Sequence, residues 1–165
     1  MTAAQGSGPD TPAPEAKAPE ALDPDLADEL VRLSFLVQSV IGRVADTRGL
    51  SVPQFRLLAV LEDREIGMLE LSRILELEKS SVTGLVDRAE RRGLVCRVQV
   101  PGNRRAVHVI LTPAGRSLVE ELRPVIRDEI LTTMAGALSA AQRDGLRDSV
   151  ATMIRQYVTR HSIPA

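Results

Sequence analysis

The chain is poor in aromatic residues. Phe35, Phe55 and Tyr157 are the full complement, and tryptophan is absent. Proteins that hold single-stranded nucleic acid stack its bases on aromatic side chains, so this sequence argues against that mode of binding. Cysteine is also scarce. Cys96 stands alone, which excludes a disulfide within the chain. With only two distant histidines, His108 and His161, there is no spacing that would make a metal site. No nucleotide-phosphate loop and no zinc-protease motif are present either. These absences argue against an enzyme and imply no cofactor. No apolar run is long enough to span a bilayer. The N-terminus lacks the basic and apolar regions of a signal peptide. Together they predict a cytoplasmic protein with no membrane partner.

What remains is an aliphatic core. Apolar residues make up 44% of 165, nearly all of them Leu, Val, Ile and Ala, which suits packed helices. The net charge is only −1, but the charge is unevenly spread. Between positions 79 and 105 stand Lys79, Arg88, Arg91, Arg92, Arg97, Arg104 and Arg105 against Asp87 and Glu90, a net of +5. A basic stripe on an otherwise acidic chain is the footprint of a phosphate-binding surface. The competing reading is a solvated helix face.

Residues 1–22 are rich in Pro, Ala, Gly and Ser and show no periodicity, which predicts a disordered tail. A long helix follows, with Asp23 as cap and Pro24 in the first turn. Along it Leu26, Leu30, Leu33, Val37, Val40 and Val44 recur at heptad-like spacing. No earlier helix exists to cover such a seam, so these six residues are candidates for a dimer interface. Gly49 is expected to end the helix.

Ser51 and Gln54 form a capping box for a second helix, expected to run to about Arg64 and to bury Phe55, Leu58 and Leu61. A short third helix is expected over 69–75. After a turn at 76–78, a fourth covers 79–92, with Val82, Leu85, Val86 and Ala89 on one apolar stripe. The pattern then becomes extended. Residues 95–100 and 107–111 read as two strands joined by a turn at Pro101-Gly102-Asn103-Arg104. A fifth helix is expected over 113–136, with Leu118, Leu122 and Val125 inward and a bend at Pro124. Ser139 and Gln142 cap a last helix, on which Leu146, Val150, Met153 and Tyr157 make a second candidate dimer stripe.

The fold class is thus mainly α with a small β-hairpin wing. A winged helix-turn-helix over 51–112 lies between helical dimerisation segments at 23–50 and 113–163. With its apolar stripe inward, the helix 79–92 presents Ser80, Thr83, Gly84, Asp87 and Arg91 outward, with Arg88 at the edge. Such a helix fits the major groove of duplex DNA. Lys79 and Ser81 suit phosphate contacts. Gly84 either allows close approach to DNA or is merely tolerated. The wing, 101–106, carries Asn103, Arg104 and Arg105 to the minor groove or the backbone.

Three segments carry a resemblance: LSVPQFRLLAVL (50–61), LSRILELEKSSVTGLVDRAERRGLV (71–95) and NRRAVHVILTPAGR (103–116). They resemble the MarR family of bacterial regulators. The resemblance implies a homodimer whose first, fifth and sixth helices interlock. It implies a pseudo-palindromic operator and a repressor relieved by a small-molecule effector or an oxidant. Two positions depart from the family pattern. Asn103 stands where the wing usually carries Asp, and Gly84 replaces a larger polar residue. The alternative reading is a dimerisation or protein-interaction module that has lost specific DNA binding. Cys96, just after the reading helix, is a redox-sensor candidate, with a packed small hydrophobe as its competing role.

Overall fold

The computed structural model describes residues 23–161, apart from the side chains of Arg104 and Arg105. The expected tail, 1–22, lies outside the described residues. The element order is α1 (Pro24–Asp46), α2 (Val52–Val60), β1 (Ile66–Gly67), α3 (Met68–Leu75), α4 (Lys79–Arg91), β2 (Val95–Val100), β3 (Asn103–Leu111), α5 (Pro113–Met134) and α6 (Ala140–His161).

Helix starts follow local chemistry. Asp23 Oδ1 accepts the Asp25 N–H at 3.0 Å, ahead of Pro24. Ser51 and Gln54 form the full box: Ser51 Oγ accepts the Gln54 N–H at 3.4 Å, and Gln54 Oε1 accepts the Ser51 N–H at 2.9 Å. Ser139 and Gln142 repeat this ahead of α6, at 3.3 and 2.9 Å. Two helix ends share one device. Beyond α1, Gly49 takes φ +63°, its N–H donates to Asp46 O, and the Leu50 N–H donates to Ala45 O at 3.0 Å. Beyond α4, Gly93 takes φ +69° and the Leu94 N–H donates to Ala89 O at 3.0 Å. Each left-handed glycine reverses the chain so that the next leucine turns into the core. Leu50 and Leu94 are both buried.

One core joins the C-terminal part of α1, helices α2 to α4, the base of the sheet and the first two thirds of α5. The stripe Val82, Leu85, Val86 and Ala89 is buried as expected, as are Phe55, Leu58 and Leu61. Helix α2 ends about one turn before the expected Arg64, since residues 61–63 already form a turn. The sheet has three antiparallel strands rather than two, in the order β1-β3-β2. Ile66 pairs with Val109 and Val95 with Leu111. The turn at the wing tip is tighter than expected. Gly102, at φ +79°, lets the chain reverse at once, and β3 starts at Asn103, opposite Val100. Arg104 and Arg105 therefore lie on strand backbone rather than in the turn.

Two expected faces are corrected. On α5 the buried residues are Gly115, Val119, Leu122 and Ile126, while Val125 is open and Leu118 only partly covered. The helix is rotated relative to the expected stripe because its backbone approaches the end of α4. Pro124 sits inside α5 without ending it. On α1 the expected seam divides. Val40 and Val44 are 2% and 6% exposed and belong to the chain's own interior. A partner copy has no access to them. Leu26, Leu30 and Leu33 are open, as are Val31, Phe35 and Leu36, and Val37 lies between the two regimes. Helix α6 has no buried residue, and Leu146, Met153, Ile154 and Tyr157 all stand exposed on it.

The junction of α4, β3 and α5 is the tightest contact. Leu94 O accepts the Thr112 N–H at 3.1 Å, and Thr112 Oγ1 donates to Gly93 O at 2.6 Å while accepting the Gly115 N–H at 3.1 Å. A Cβ on Gly115 would fall 2.0 Å from Leu94 O, which is backbone and has no room to yield. Gly115→Ala is therefore expected to destabilise the fold by about 2 kcal/mol or more through overpacking. Chemical denaturation measures this, and an unchanged midpoint would show that the junction can relax.

Candidate nucleic-acid interface

The reading helix is oriented by its buried stripe. With Val82, Leu85, Val86 and Ala89 inward, Lys79, Ser80, Ser81, Thr83, Arg88 and Arg91 are all exposed. None of the three cations among them makes an ion pair with a described residue, and each is open to an external anion. The angle of the helix-turn-helix is held by an unusual residue. Glu76 ends α3 at φ +54°, a conformation that costs a non-glycine residue on the order of 1 kcal/mol. The surrounding bonds enforce it: the Leu77 N–H donates to Ser72 O at 3.1 Å, and Ser72 Oγ donates to Leu77 O at 2.6 Å.

Several side chains have different work from that expected. Asp87, anticipated on the outward face, is half-buried and bound to Arg97 of β2, whose Nη2 lies 2.6 Å from Asp87 Oδ1. Arg97 Nη1 also pairs with Glu90 Oε2, and the Arg97 N–H donates to Glu90 Oε1 at 3.2 Å. The Asp87 hydrogen bond, with Glu90 adding to it, holds the Arg97 guanidinium above the ordinary arginine range despite partial burial. Arg97 thus fastens the wing to the reading helix instead of offering charge to a ligand. Arg92 is likewise occupied: it donates to Gly49 O at 2.7 Å and Arg48 O at 2.8 Å, at the end of α1. Sequence counted both arginines in the basic stripe, where only their charge was visible.

Thr83 Oγ1 donates to Lys79 O at 2.9 Å, so its donor is spent within the helix. An added Cβ at Gly84 would meet Arg88 Nη1 at 3.3 Å. Gly84 therefore leaves space for the Arg88 guanidinium to lie along the helix. Asn103 is exposed at the start of β3. Arg104 and Arg105 follow it on the strand, their side chains outside the described set. Cys96 is half-buried on β2, opposite Ile110.

Three further contacts frame the interface. Arg43 on α1 and Arg48 in the turn just beyond it pair with Glu129 and Glu121 on α5, which aligns the long helices. From α6, the Tyr157 hydroxyl donates to Glu76 Oε1 at 2.9 Å, and this carboxylate raises the phenol above its usual range. Val150 is partly covered on the same helix. Among the described residues no group of three His, Cys, Asp or Glu side chains is placed to hold a metal, and no helix is long and apolar enough to cross a membrane.

Known proteins resemble this chain in sequence and in fold. The model of the MarR family matches residues 48–106, from the end of α1 into the wing. The transcriptional regulator PecS of Dickeya dadantii is 30% identical over 97 residues, 56% of this chain and 58% of PecS, so the match spans less than two thirds of that relative. The HTH-type transcriptional regulator YsmB of Bacillus subtilis is 31% identical over 101 residues, 59% of this chain and 68% of YsmB. Among solved structures, BpsR of Bordetella bronchiseptica, whose DNA binding is regulated by 6-hydroxynicotinic acid, is 26% identical with a TM-score of 0.65, over 78% of this chain and 98% of BpsR. A MarR transcriptional regulator from Methanosarcina mazei Go1 reaches a TM-score of 0.74 at 22% identity, over 83% and 99% of the two chains. A mutant MarR from Escherichia coli, complexed with operator DNA, gives 0.67 at 19%, over 79% and 94%. These last two establish likeness of fold.

The Arg97 clamp has a measurable consequence. Arg97→Met keeps the aliphatic stem but removes the ion pairs, leaving two carboxylates side by side. It is expected to lower stability by about 1 kcal/mol, since the pairs are partly solvent-screened. It is also expected to speed amide hydrogen exchange in β2 and β3. Exchange rates equal to those of the native protein would show that the wing is held by the sheet and core alone.

Proposed function

The chain belongs to the MarR family of transcriptional regulators, and on that premise we propose that it is a homodimeric repressor that reads a pseudo-palindromic duplex operator. The outer face of α4 carries this reading. Lys79, Arg88 and Arg91 are open and unpaired there, beside two free serine hydroxyls, on a helix whose rotation is fixed by its buried stripe. Helix N-terminal residues enter the major groove first in such motifs, so Ser80 and Thr83 face base edges while Lys79, Ser81, Arg88 and Arg91 meet phosphates. Thr83 reads as an acceptor, because its proton is committed to Lys79 O. Asn103, Arg104 and Arg105 extend the contact along the wing.

Dimerisation is supported by what one copy leaves uncovered. Leu26, Leu30 and Leu33 on α1, with Leu146, Met153 and Tyr157 on α6, form apolar faces that stand exposed among the described residues. A dimer built on these helices must present its two reading helices about one DNA turn apart, roughly 34–36 Å, to meet two half-sites. Relief by a small molecule is proposed by analogy with BpsR and is tested by adding small aromatic acids to the protein–duplex complex.

The test begins with selection of the full-length protein against a random duplex pool, followed by binding to the enriched duplex over a range of salt. A two-fold symmetric winner and a steep salt slope are expected. Arg91→Ala is expected to reduce the log–log slope by about one per half-site. An unchanged slope would remove Arg91 from the phosphate contacts. Absence of both enrichment and slope would favour a protein-interaction module.

Separately, Leu30→Glu combined with Leu33→Glu is expected to yield monomers by light scattering, because four carboxylates would meet in the seam. A variant that remains dimeric would move the interface off this part of α1.

A further inference from the structure

Outside the long helices, one large apolar side chain stands open. The other exposed large hydrophobics lie on α1, α5 and α6. Leu69, in the first turn of α3, is 50% exposed and is the single such residue among the described residues of the winged unit. It is not an isolated surface leucine. With Met68, Lys79 and Thr83 it lines a groove of about 260 Å³ at the N-terminal end of the reading helix. Met68 is partly buried and packed against the core, so the floor of the groove is fixed.

The chemistry of the lining is specific. Leu69 and Met68 offer only apolar surface. Thr83 has spent its proton on Lys79 O at 2.9 Å, and it presents a methyl group and an acceptor oxygen. Lys79 supplies an exposed cation at the rim. A small apolar hollow beside a cation fits a ligand that pairs a methyl group with a nearby anion. In the major groove the C5-methyl of thymine is the one apolar group on a base edge, and a phosphate always flanks it.

We propose that Met68, Leu69 and the Thr83 methyl form a receptor for a thymine C5-methyl, with Lys79 on the adjacent phosphate. One A·T pair in each half-site is then selected by apolar contact rather than by a hydrogen bond. This rests on the duplex-DNA reading above and adds a specificity residue, Leu69, that lies outside α4 and the wing.

The test uses the full chain and the duplex it enriches from a random pool. Each thymine is replaced in turn by deoxyuridine, which deletes only the methyl group. One thymine per half-site is expected to be sensitive, with affinity falling about four-fold, the equivalent of one buried methyl group. Leu69→Ala, at an exposed position that the fold tolerates, is expected to bind the thymine and deoxyuridine duplexes equally. Leu69→Met, which keeps an apolar reach, is expected to restore the preference. Absence of any sensitive thymine, or sensitivity that survives in Leu69→Ala, overturns the proposal. The second outcome, with Leu69→Ala weakening thymine and deoxyuridine duplexes by the same factor, would mean packing against the sugar backbone. In both cases the DNA-binding reading stands. If no duplex is enriched, the DNA-binding reading fails and this proposal fails with it.

Discussion

Burial of one face of α4 governs the rest of the molecule. Val82, Leu85, Val86 and Ala89 lie in the core with essentially no exposure, which fixes the rotation of the helix about its axis. Residues at the complementary positions then have no choice but to face outward. A rotation of 100°, one residue, would expose Val82 and bury Ser81 with Arg88 in one sense or Thr83 with Asp87 and Glu90 in the other, and an unpaired buried polar group costs on the order of 1–3 kcal/mol or more. The outer face is therefore set by the inner one. Its three open cations owe their availability to packing rather than to any interaction of their own.

Around this helix the structure separates holding from reaching. Arg92 caps the end of α1, and Arg97 ties the wing to α4 through Asp87 and Glu90. Leu94 O and Gly115 bring α5 against the same corner. These contacts make the reading helix, the wing and the roots of both long helices one unit. The far ends of the long helices are the opposite case. The N-terminal half of α1 and all of α6 hold no fully buried residue and keep their leucines open. In the proposed dimer, a motion of one copy against the other would reach α4 through these roots. Tyr157 on α6, bonded to Glu76 at the turn into α4, gives that route a second contact.

Much of this was legible in the sequence, for local reasons. Ser51 with Gln54, Ser139 with Gln142, and the glycines at 49 and 93 are signals that act within a few residues, and each does what its chemistry dictates. The stripe on α4 was equally plain, because 3.6-residue periodicity in a short helix has one solution. Non-local relations were not legible. Strand β1 is two residues long and exists only because Ile66 meets Val109, forty-three positions away. The seam on α1 is periodic along its whole length, and no pattern marks where the protomer's own core stops at Val40. The turned face of α5 follows from the approach of Gly115 to Leu94 O, a contact between backbones. Charge was the least informative quantity. Seven basic residues looked alike in sequence, yet Arg92 and Arg97 are bound internally, while Lys79, Arg88 and Arg91 are open. Asp87 looked like part of the outward face because helical rotation puts it there, and its bond to Arg97 is a contact between elements. Leu69 was read only as the start of a helix, since its exposure is a property of the assembled groove.

The claim that the outer face of α4 meets duplex DNA is tested most directly by amide NMR spectra of the full-length protein, recorded with and without the duplex it enriches. The largest shifts are expected at residues 79–84, at Arg88 and Arg91, and along the wing from 101 to 106, with Val82, Leu85 and Val86 moving only as neighbours. Shifts confined to α1 and α6, with α4 unmoved, would contradict the account and assign the interaction to the long helices.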